Sequence, residues 1–318
     1  MTKRGREASV QSPSSYAFCA FSADAQRFVG VSYDGIVRVW STSASGLKVV
    51  FQHTERLAKT VSALAVSRDG TLVAIGSVSG AVLVLDCESG KSRFEVAGAH
   101  KERVLAMTFA DDSGALFSTS KDREIFQWDI AAGTVGKKWS AGKKSLNALC
   151  VSPDAKLLFG AGSVIRAWDV ATQKVVLNLA GHAGKVSWID YAHSSDVLVV
   201  GSRDDQFVHL WKNVSSCGKA SAPSAVLVSD WAVSQVAVSR GSAEFVVSIG
   251  SDSKSSGINV WKVPAETSKP VEASRKISCA EEAILAFKLV DDSNLLICSG
   301  KPLDPKFRFT VGAVLVLF

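Results

Sequence analysis

Long hydrophobic runs are missing from this 318-residue chain, although its mean hydropathy is +0.18 and 47% of its residues are hydrophobic. The apolar stretches are short, and Ala313–Phe318 is typical of them. A helix that spans a bilayer needs about 20 apolar residues in succession. The first residues, MTKRGREASVQSPSS, also lack the apolar segment of a secretory signal peptide. The apolar side chains therefore indicate buried strands in a soluble protein that is not secreted.

Motifs that hold metals, cofactors or nucleophiles are also missing. The six cysteines are scattered without a CxxC pair, and the five histidines show no ligand spacing. Gly90-Lys91-Ser92 is similar to the end of a phosphate-binding loop, but position 85 is Leu where that loop requires Gly. We therefore expect no metal site, no cofactor and no catalytic residue. The formal net charge of +6 and the pI of about 9.0 permit an anionic partner such as nucleic acid.

A repeat runs along the whole chain. Short apolar runs recur at intervals of 40 to 57 residues, and they end at Trp40, Leu85, Trp128, Trp168, Trp211, Trp261 and Phe318. A small-residue strand and a polar turn precede most of these runs, and no segment of 12 or more residues between them has a helical period. Repeats of about 40–45 residues with four short strands each are typical of β-propeller blades. The sequence therefore predicts an all-β, seven-bladed propeller.

Particular residues place the chain close to the WD-repeat family. Trp128-Asp129 and Trp168-Asp169 end two of the runs, and Gly181-His182 and turns such as Ser152-Pro153-Asp154-Ala155 have the family's pattern. The resemblance covers residues 14–318 and implies a seven-bladed WD-repeat propeller preceded by a tail, residues 1–13. Because an open sheet edge invites aggregation, we expect residues near Ala8–Gln11 to pair beside the third strand of the last blade. Chain beyond Phe318 is the alternative.

The same resemblance implies two buried hydrogen-bond tetrads. The first consists of His100, Ser120, Asp122 and Trp128, and the second of His182, Ser202, Asp205 and Trp211. An additional residue in the second set leaves open whether Asp204 or Asp205 serves there. Ser, His and Asp together also permit a hydrolase triad, but an internally satisfied polar chain that holds a tight turn is favoured. These residues are therefore expected to be structural.

Basic residues supply the candidate contacts with a partner. Four lysines fall within eight residues, at positions 137, 138, 143 and 144, and they either protect an exposed strand edge or neutralise phosphates. In a propeller of this kind, two sets of loops share one face. The basic residues expected on that face are Arg56, Lys59, Lys101, Arg103, Lys121, Arg123, Lys143, Lys144, Lys185, Arg203, Lys254, Lys301, Lys306 and Arg308. The tryptophans outside the run ends, Trp139, Trp188 and Trp231, are expected to pack between blades rather than stack on bases.

The segment from Ala99 to Val186 is similar, within the WD-repeat family, to subunits of the UTP-A (t-UTP) subcomplex of the small-subunit processome. This resemblance implies a non-catalytic nucleolar scaffold in ribosome biogenesis and pre-rRNA transcription and processing. Its implied partners are other WD-repeat and HEAT-repeat subunits and pre-ribosomal RNA, whereas the helical C-terminal domain of such proteins is expected to be absent here. Two alternatives remain open: a peptide-recognition adaptor, such as a ubiquitin-ligase receptor or chromatin reader, and an enzyme built on a propeller.

Overall fold

The computed structural model describes residues 4–11, 16–22, 24–32, 35–43, 46–53, 61–180, 184–216, 221–239, 244–252, 255–264, 267, 269–279, 283–289, 294–300 and 308–315. It divides into two compact units. Unit 1 is Met1–Ser145 with Leu285–Phe318, and unit 2 is Leu146–Ile284. Apart from two short 3₁₀ turns, η1 (His193–Ser195) and η2 (Val214–Ser216), all regular structure in the described part of the chain is β-strand.

In the first part of the chain, the strands are β1 (Arg4–Gln11), β2 (Tyr16–Phe21), β3 (Arg27–Ser32), β4 (Val37–Ser43), β5 (Gly46–His53), β6 (Val61–Val66), β7 (Leu72–Ser77), β8 (Val82–Asp86), β9 (Ser92–Val96), β10 (Val104–Phe109), β11 (Ala115–Ser120), β12 (Glu124–Asp129) and β13 (Thr134–Ser140). The strands that follow are β14 (Leu146–Val151), β15 (Leu157–Gly162), β16 (Ile165–Asp169), β17 (Val175–Leu179), β18 (Val186–Ala192), β19 (Val197–Ser202), β20 (Phe207–Lys212) and β21 (Ala225–Val228). The last are β22 (Ala232–Val238), β23 (Phe245–Ser251), β24 (Ser256–Lys262), β25 (Val271–Glu272), β26 (Arg275–Cys279), β27 (Ala283–Leu289), β28 (Asn294–Gly300) and β29 (Arg308–Leu315).

These strands form seven sheets. Unit 1 contains β2–β5, β6–β9, β10–β13 and a sheet ordered β1-β29-β28-β27, and unit 2 contains β14–β17, β18–β21 with β25, and β22-β23-β24-β26. Six of the sheets follow the chain as antiparallel neighbours, with β25 added in parallel to β21. The other sheet combines both ends of the chain: β1 pairs antiparallel with β29, and Ala8 lies opposite Val311.

Two features of this last sheet differ from the expectation. The whole of Arg4–Gln11 is a strand rather than a tail with a short pairing segment. Strand β29 begins at Arg308, five residues before the apolar run Ala313–Phe318, so that residues 308–312 are also strand. The physical reason is that both β1 and β28 pair with these residues.

The run ends that revealed the repeat are the centres of the cores. Five of these tryptophans are at most 1% exposed: Trp40, Trp128, Trp168, Trp211 and Trp261. In each of these five sheets the indole lies on the third strand opposite an apolar residue of the second, as in the pairs Leu116–Trp128 and Leu158–Trp168. Burying an aromatic side chain of this size contributes several kcal/mol, about 25 cal/mol for each Å² removed from water.

Neighbouring sheets are joined by polar side chains that the sequence did not identify. The first strand of several sheets carries a β-bulge near its start, and the residue inside the bulge reaches the first strand of the next sheet. The Ser62 hydroxyl donates to the Val104 carbonyl at 2.7 Å in unit 1. In unit 2 the Ser187 hydroxyl donates to the Val233 carbonyl at 2.6 Å. These bonds fix the spacing between first strands within each unit.

Candidate functional site

A chain of hydrogen bonds crosses the third sheet beneath the turn between β11 and β12. The Asp122 carboxylate lies 3.0 Å from His100 Nδ1, and His100 Nε2 lies 2.8 Å from Ser118 Oγ. Trp128 Nε1 donates to the same Ser118 oxygen at 2.9 Å. His100 is 1% exposed, and Ser118 and Trp128 are fully buried. A substrate therefore cannot reach the hydroxyl, and this polar chain is built to hold a turn.

The connectivity assigns the proton on the imidazole. The indole N–H of Trp128 must donate, so Ser118 accepts from Trp128 and its own O–H is directed to His100 Nε2. Nδ1 then carries the proton and donates to Asp122. The ring also stacks on Phe126, with centroids 4.0 Å apart. Each polar atom of the chain has a partner, which is the condition for burying such groups at low cost.

Burial and the neighbouring charges shift both titrating groups downward. Burial is the largest influence on His100 and lowers its pKa below 6.5, Asp122 opposes that shift, and Lys138 adds to it. Burial also disfavours the Asp122 carboxylate, but amide hydrogen bonds from Glu124 and Lys101 and the contact with His100 outweigh it, so that the pKa of Asp122 lies below 3.8. The pair is therefore a neutral imidazole and a carboxylate at neutral pH.

The serine of this chain is Ser118, not the Ser120 that the resemblance implied. Both residues lie on the same face of β11, because side chains two apart in a strand point the same way. Ser118 lies opposite Phe126, on which the imidazole stacks. Ser120 lies at the end of the strand, where its hydroxyl donates to the Glu102 carbonyl at 2.8 Å and accepts from the Asp122 amide. Ser120 thus holds the turn, and only Ser118 reaches the imidazole and the indole.

The second predicted tetrad differs from the first in the residues that the structure describes. His182 lies outside the described residues. Ser202 behaves like Ser120: its hydroxyl donates to the Lys185 carbonyl at 3.1 Å. Position 200, which corresponds to Ser118, is Val and provides no hydroxyl. Trp211 Nε1 accordingly donates elsewhere, to the Ser221 carbonyl at 3.3 Å.

The turn between β19 and β20 has an additional residue, and there two carboxylates accept the amide hydrogen bonds that one carboxylate accepts in the third sheet. In the third sheet, Asp122 accepts both from the Lys101 amide and from an amide within its own turn. In the sheet that contains β18–β21, Asp204 accepts from the Lys185 amide at 2.9 Å. Asp205 accepts from the Phe207 amide at 3.1 Å. Asp204 therefore makes the contact between loops, and Asp205 bonds to an amide within its own turn.

The predicted basic residues separate into two groups. Lys121, Arg123, Lys143 and Lys144 are exposed on loops at one end of the third sheet. Lys137 and Lys138 lie on β13 instead, where Lys137 is half-buried and the Lys138 ammonium lies 5.0 Å from the centre of the Phe126 ring. Lys137 is thus less exposed than the other three clustered lysines. Lys138 also covers the ring that stacks on His100.

Of the three tryptophans outside the run ends, one departs from the expectation of packing between blades. Trp139 and Trp231 are each 7% exposed, whereas Trp188, on the edge strand β18, is 41% exposed. Trp139 lies on β13, and Trp231 immediately precedes β22. Trp188 is an aromatic side chain available for contact with a partner.

The described residues contain no group of His, Cys, Asp or Glu that is arranged to hold a metal ion. Among them, no helix is long and apolar enough to cross a membrane. An open recess of about 250 Å³ lies between residues 162–165 and 178–180. Its polar lining residues are Ser163 and Asn178. The lining therefore contains no acid or base that could activate the Ser163 hydroxyl.

Comparison with known proteins identifies the repeat. The model of the WD domain, G-beta repeat (WD40), matches residues 12–41, 92–129 and 173–212. The structure described as "Structure of U3-55K" superimposes with a TM-score of 0.75, covering 96% of this chain and 98% of that one at 18% identity. The similarity to that structure establishes the fold.

Several curated proteins are similar in sequence. WD repeat-containing protein 43 of Homo sapiens is 30% identical over 53% of this chain and 29% of its own length. Autophagy-related protein 16 of Arabidopsis thaliana is 26% identical over 72% of this chain and 46% of its own length. U3 snoRNP-associated protein-like EMB2271 of Arabidopsis thaliana is 30% identical over 39% of this chain and 30% of its own length. The chain thus spans less than half of each of these relatives. Together with the repeated four-stranded sheets, the matches show that the chain contains WD40 repeats and has an all-β, β-propeller fold.

Proposed function

We propose that this chain is a non-catalytic scaffold subunit in ribosome biogenesis, part of the UTP-A subcomplex of the small-subunit processome. The carrying observation is the similarity to WD repeat-containing protein 43. Relatives named as U3 snoRNP-associated support the same process. The proposed location is the nucleolus, and the proposed partners are WD-repeat and HEAT-repeat subunits and pre-ribosomal RNA.

The arrangement of the polar groups supports a scaffold rather than an enzyme. The one chain of Ser, His and Asp in the described part of the third sheet is buried and satisfied internally. What the sheets offer to solvent is loop surface, which is where binding residues concentrate on rigid scaffolds. We further propose that each of the seven sheets is one blade, with β1 completing the last.

The test is to tag the protein in its own cells and to sequence the RNA that crosslinks to it. The proposal predicts enrichment of pre-ribosomal RNA and of U3 RNA over a tag-only control, together with nucleolar localisation. Mass spectrometry of the same preparation should recover other processome subunits. A diffuse protein that enriches neither RNA nor these subunits would overturn the proposal.

A peptide-recognition adaptor is the second candidate, and the exposed indole of Trp188 favours it. Tryptophan is over-represented among the residues that dominate the energy of protein interfaces. This candidate predicts that Trp188→Ala removes a specific set of co-purifying proteins and leaves the recovered RNA unchanged. If the same proteins co-purify with Trp188→Ala as with the parent, this second candidate is excluded.

A further inference from the structure

One surface of unit 1 carries six of the basic residues that the sequence pattern assigned to one face. Three segments form it: the loop before β10, the turn between β11 and β12, and the loop after β13. We call it the three-loop surface, and its exposed basic residues are Lys101, Arg103, Lys121, Arg123, Lys143 and Lys144. Since all six lie in unit 1, their arrangement is a property of that unit alone.

Backbone hydrogen bonds hold the three segments together. The Lys121 amide donates to the Arg103 carbonyl at 2.9 Å, which joins the first segment to the second. The Ala141 amide donates to the Arg123 carbonyl at 2.8 Å, which joins the second segment to the third. The buried polar chain of the third sheet ends at Asp122, in the middle of the turn between β11 and β12. Its hydrogen bonds therefore also hold the backbone of this turn in place. The cations are therefore presented from a pre-organised backbone.

Acidic side chains do not cancel this charge. Glu102 lies within the surface, and its carboxylate is 3.9 Å from the Lys121 ammonium, with half of its side chain exposed. Asp122 is only 6% exposed and its carboxylate accepts bonds from His100 and two backbone amides. Glu124 is partly buried. Six exposed cations thus face one exposed and one partly buried carboxylate.

The backbone at Arg123 gives a second, independent indication. Arg123 has a φ of 67°, in the left-handed region that favours glycine. In the first and second sheets, the same turn position, three residues after the serine that accepts the turn's hydrogen bond, is Gly35 and Gly80. An arginine at such a position costs about 1 kcal/mol or more of backbone strain. Glycine would fit the backbone at position 123 without strain, but the residue there is a cationic arginine.

The chemistry of the surface indicates a phosphate backbone as its ligand. None of the exposed large hydrophobic residues among the described ones lies in the three segments. The surface therefore offers no apolar anchor of the kind that dominates peptide interfaces, and no exposed ring on which a base would stack. Charges of one sign on a polar surface instead match the regularly spaced phosphates of a nucleic acid strand. We propose that the three-loop surface binds the phosphate backbone of single-stranded RNA without regard to sequence.

This inference deepens the proposed function, on which it rests for the source of the RNA, but it is tested on the purified chain. The experiment measures fluorescence anisotropy of labelled poly-uridine between 50 and 200 mM salt. If all six cations neutralise phosphates, log K falls with log salt with a slope of about −4, at about 0.7 for each contact. That slope corresponds to a loss of about 300-fold in affinity over this range.

Two variants locate the contact, and the first of them has a matched control. Lys143→Gln with Lys144→Gln should flatten the slope by about 1.4, whereas Lys91→Gln with Lys174→Gln, which removes two exposed lysines elsewhere, should leave it unchanged. Arg123→Gly should flatten it by about 0.7. Because glycine relieves the left-handed strain, this variant should unfold at the same urea concentration as the parent or at a higher one. Weakened binding by Arg123→Gly then cannot be attributed to a damaged fold.

The measurements distinguish failure of the surface assignment, of the RNA assignment and of the proposed function. Equal slopes for the parent, the Lys143 and Lys144 variant and the control would overturn the surface assignment. Tight binding of labelled poly-glutamate with no binding of poly-uridine would overturn the RNA assignment and indicate an acidic protein partner. If poly-uridine binds as expected but cells show no enrichment of pre-ribosomal RNA, the surface stands and the proposed function fails.

Discussion

Replacing Ser118 by alanine should destabilise the protein more than the same change at Ser120. Ser118 Oγ is the shared partner of His100 Nε2 and Trp128 Nε1, at 2.8 and 2.9 Å. Both nitrogens are inaccessible to water, since His100 is 1% exposed and Trp128 is fully buried. A buried polar group without a partner costs about 1–3 kcal/mol, and two nitrogens lose theirs, so that Ser118→Ala should lower the free energy of unfolding by about 2–6 kcal/mol.

Ser120→Ala is the matched control, because it removes the same atom from the same face of β11. Its hydroxyl serves the Glu102 carbonyl and the Asp122 amide. Glu102 is exposed, and water can replace that bond. We expect a loss of about 0.5–1.5 kcal/mol. Urea unfolding followed by tryptophan fluorescence measures both values, provided the slope m stays constant. If Ser120→Ala costs as much as Ser118→Ala, or more, the assignment of Ser118 to the polar chain is refuted.

Three further predictions concern stability. Asp122→Ala removes the partner of His100 and should lower the free energy of unfolding by about 1–3 kcal/mol, while the folded fraction binds its partners as before. Loss of binding with unchanged stability would instead indicate a functional role for Asp122. Acid should destabilise the fold in two steps. Because the folded pKa of His100 lies below 6.5, the unfolded chain takes up the proton first, and the urea concentration at the unfolding midpoint should decrease once the pH falls below about 6.5. Asp122 adds a further loss below about pH 4, and a midpoint that does not change between pH 7 and pH 5 would contradict the first step. Deleting residues 1–12 removes β1 and exposes the edge of β29, which should lower the melting temperature; an unchanged melting temperature would show that β1 contributes nothing.

The repeat could be predicted from the sequence, because each unit obeys local rules. A run that ends in tryptophan follows a small-residue strand at nearly constant spacing, and strand periodicity and turn composition depend on neighbours along the chain. The pairing of residues near Ala8–Gln11 with the last sheet could also be anticipated, since an unpaired edge is costly. In contrast, the parallel strand β25 beside β21 carries no local signal, because two residues are too few to show a pattern.

The composition of the polar chain could be predicted only in part. The resemblance to the WD-repeat family implied His100, Asp122 and Trp128, and all three belong to the polar chain. It implied Ser120 as the serine, but Ser118, of the same residue type and on the same face of β11, takes that place. The choice depends on how deep the imidazole sits, and that depth is set by its stacking on Phe126 of the neighbouring strand.

The sequence by itself determined the class of fold, the positions of the buried tryptophans and the excess of positive charge, because these follow from periodicity, hydrophobicity and composition. The sequence also assigned Lys101, Arg103, Lys121 and Arg123 to one face. Only the tertiary structure decided which backbone hydrogen bonds join their loops, and that Lys138 lies over a core ring. The reason is that strand pairing brings distant loops together, while neighbours along a strand point to opposite faces. Proximity in the chain therefore does not determine proximity on the surface.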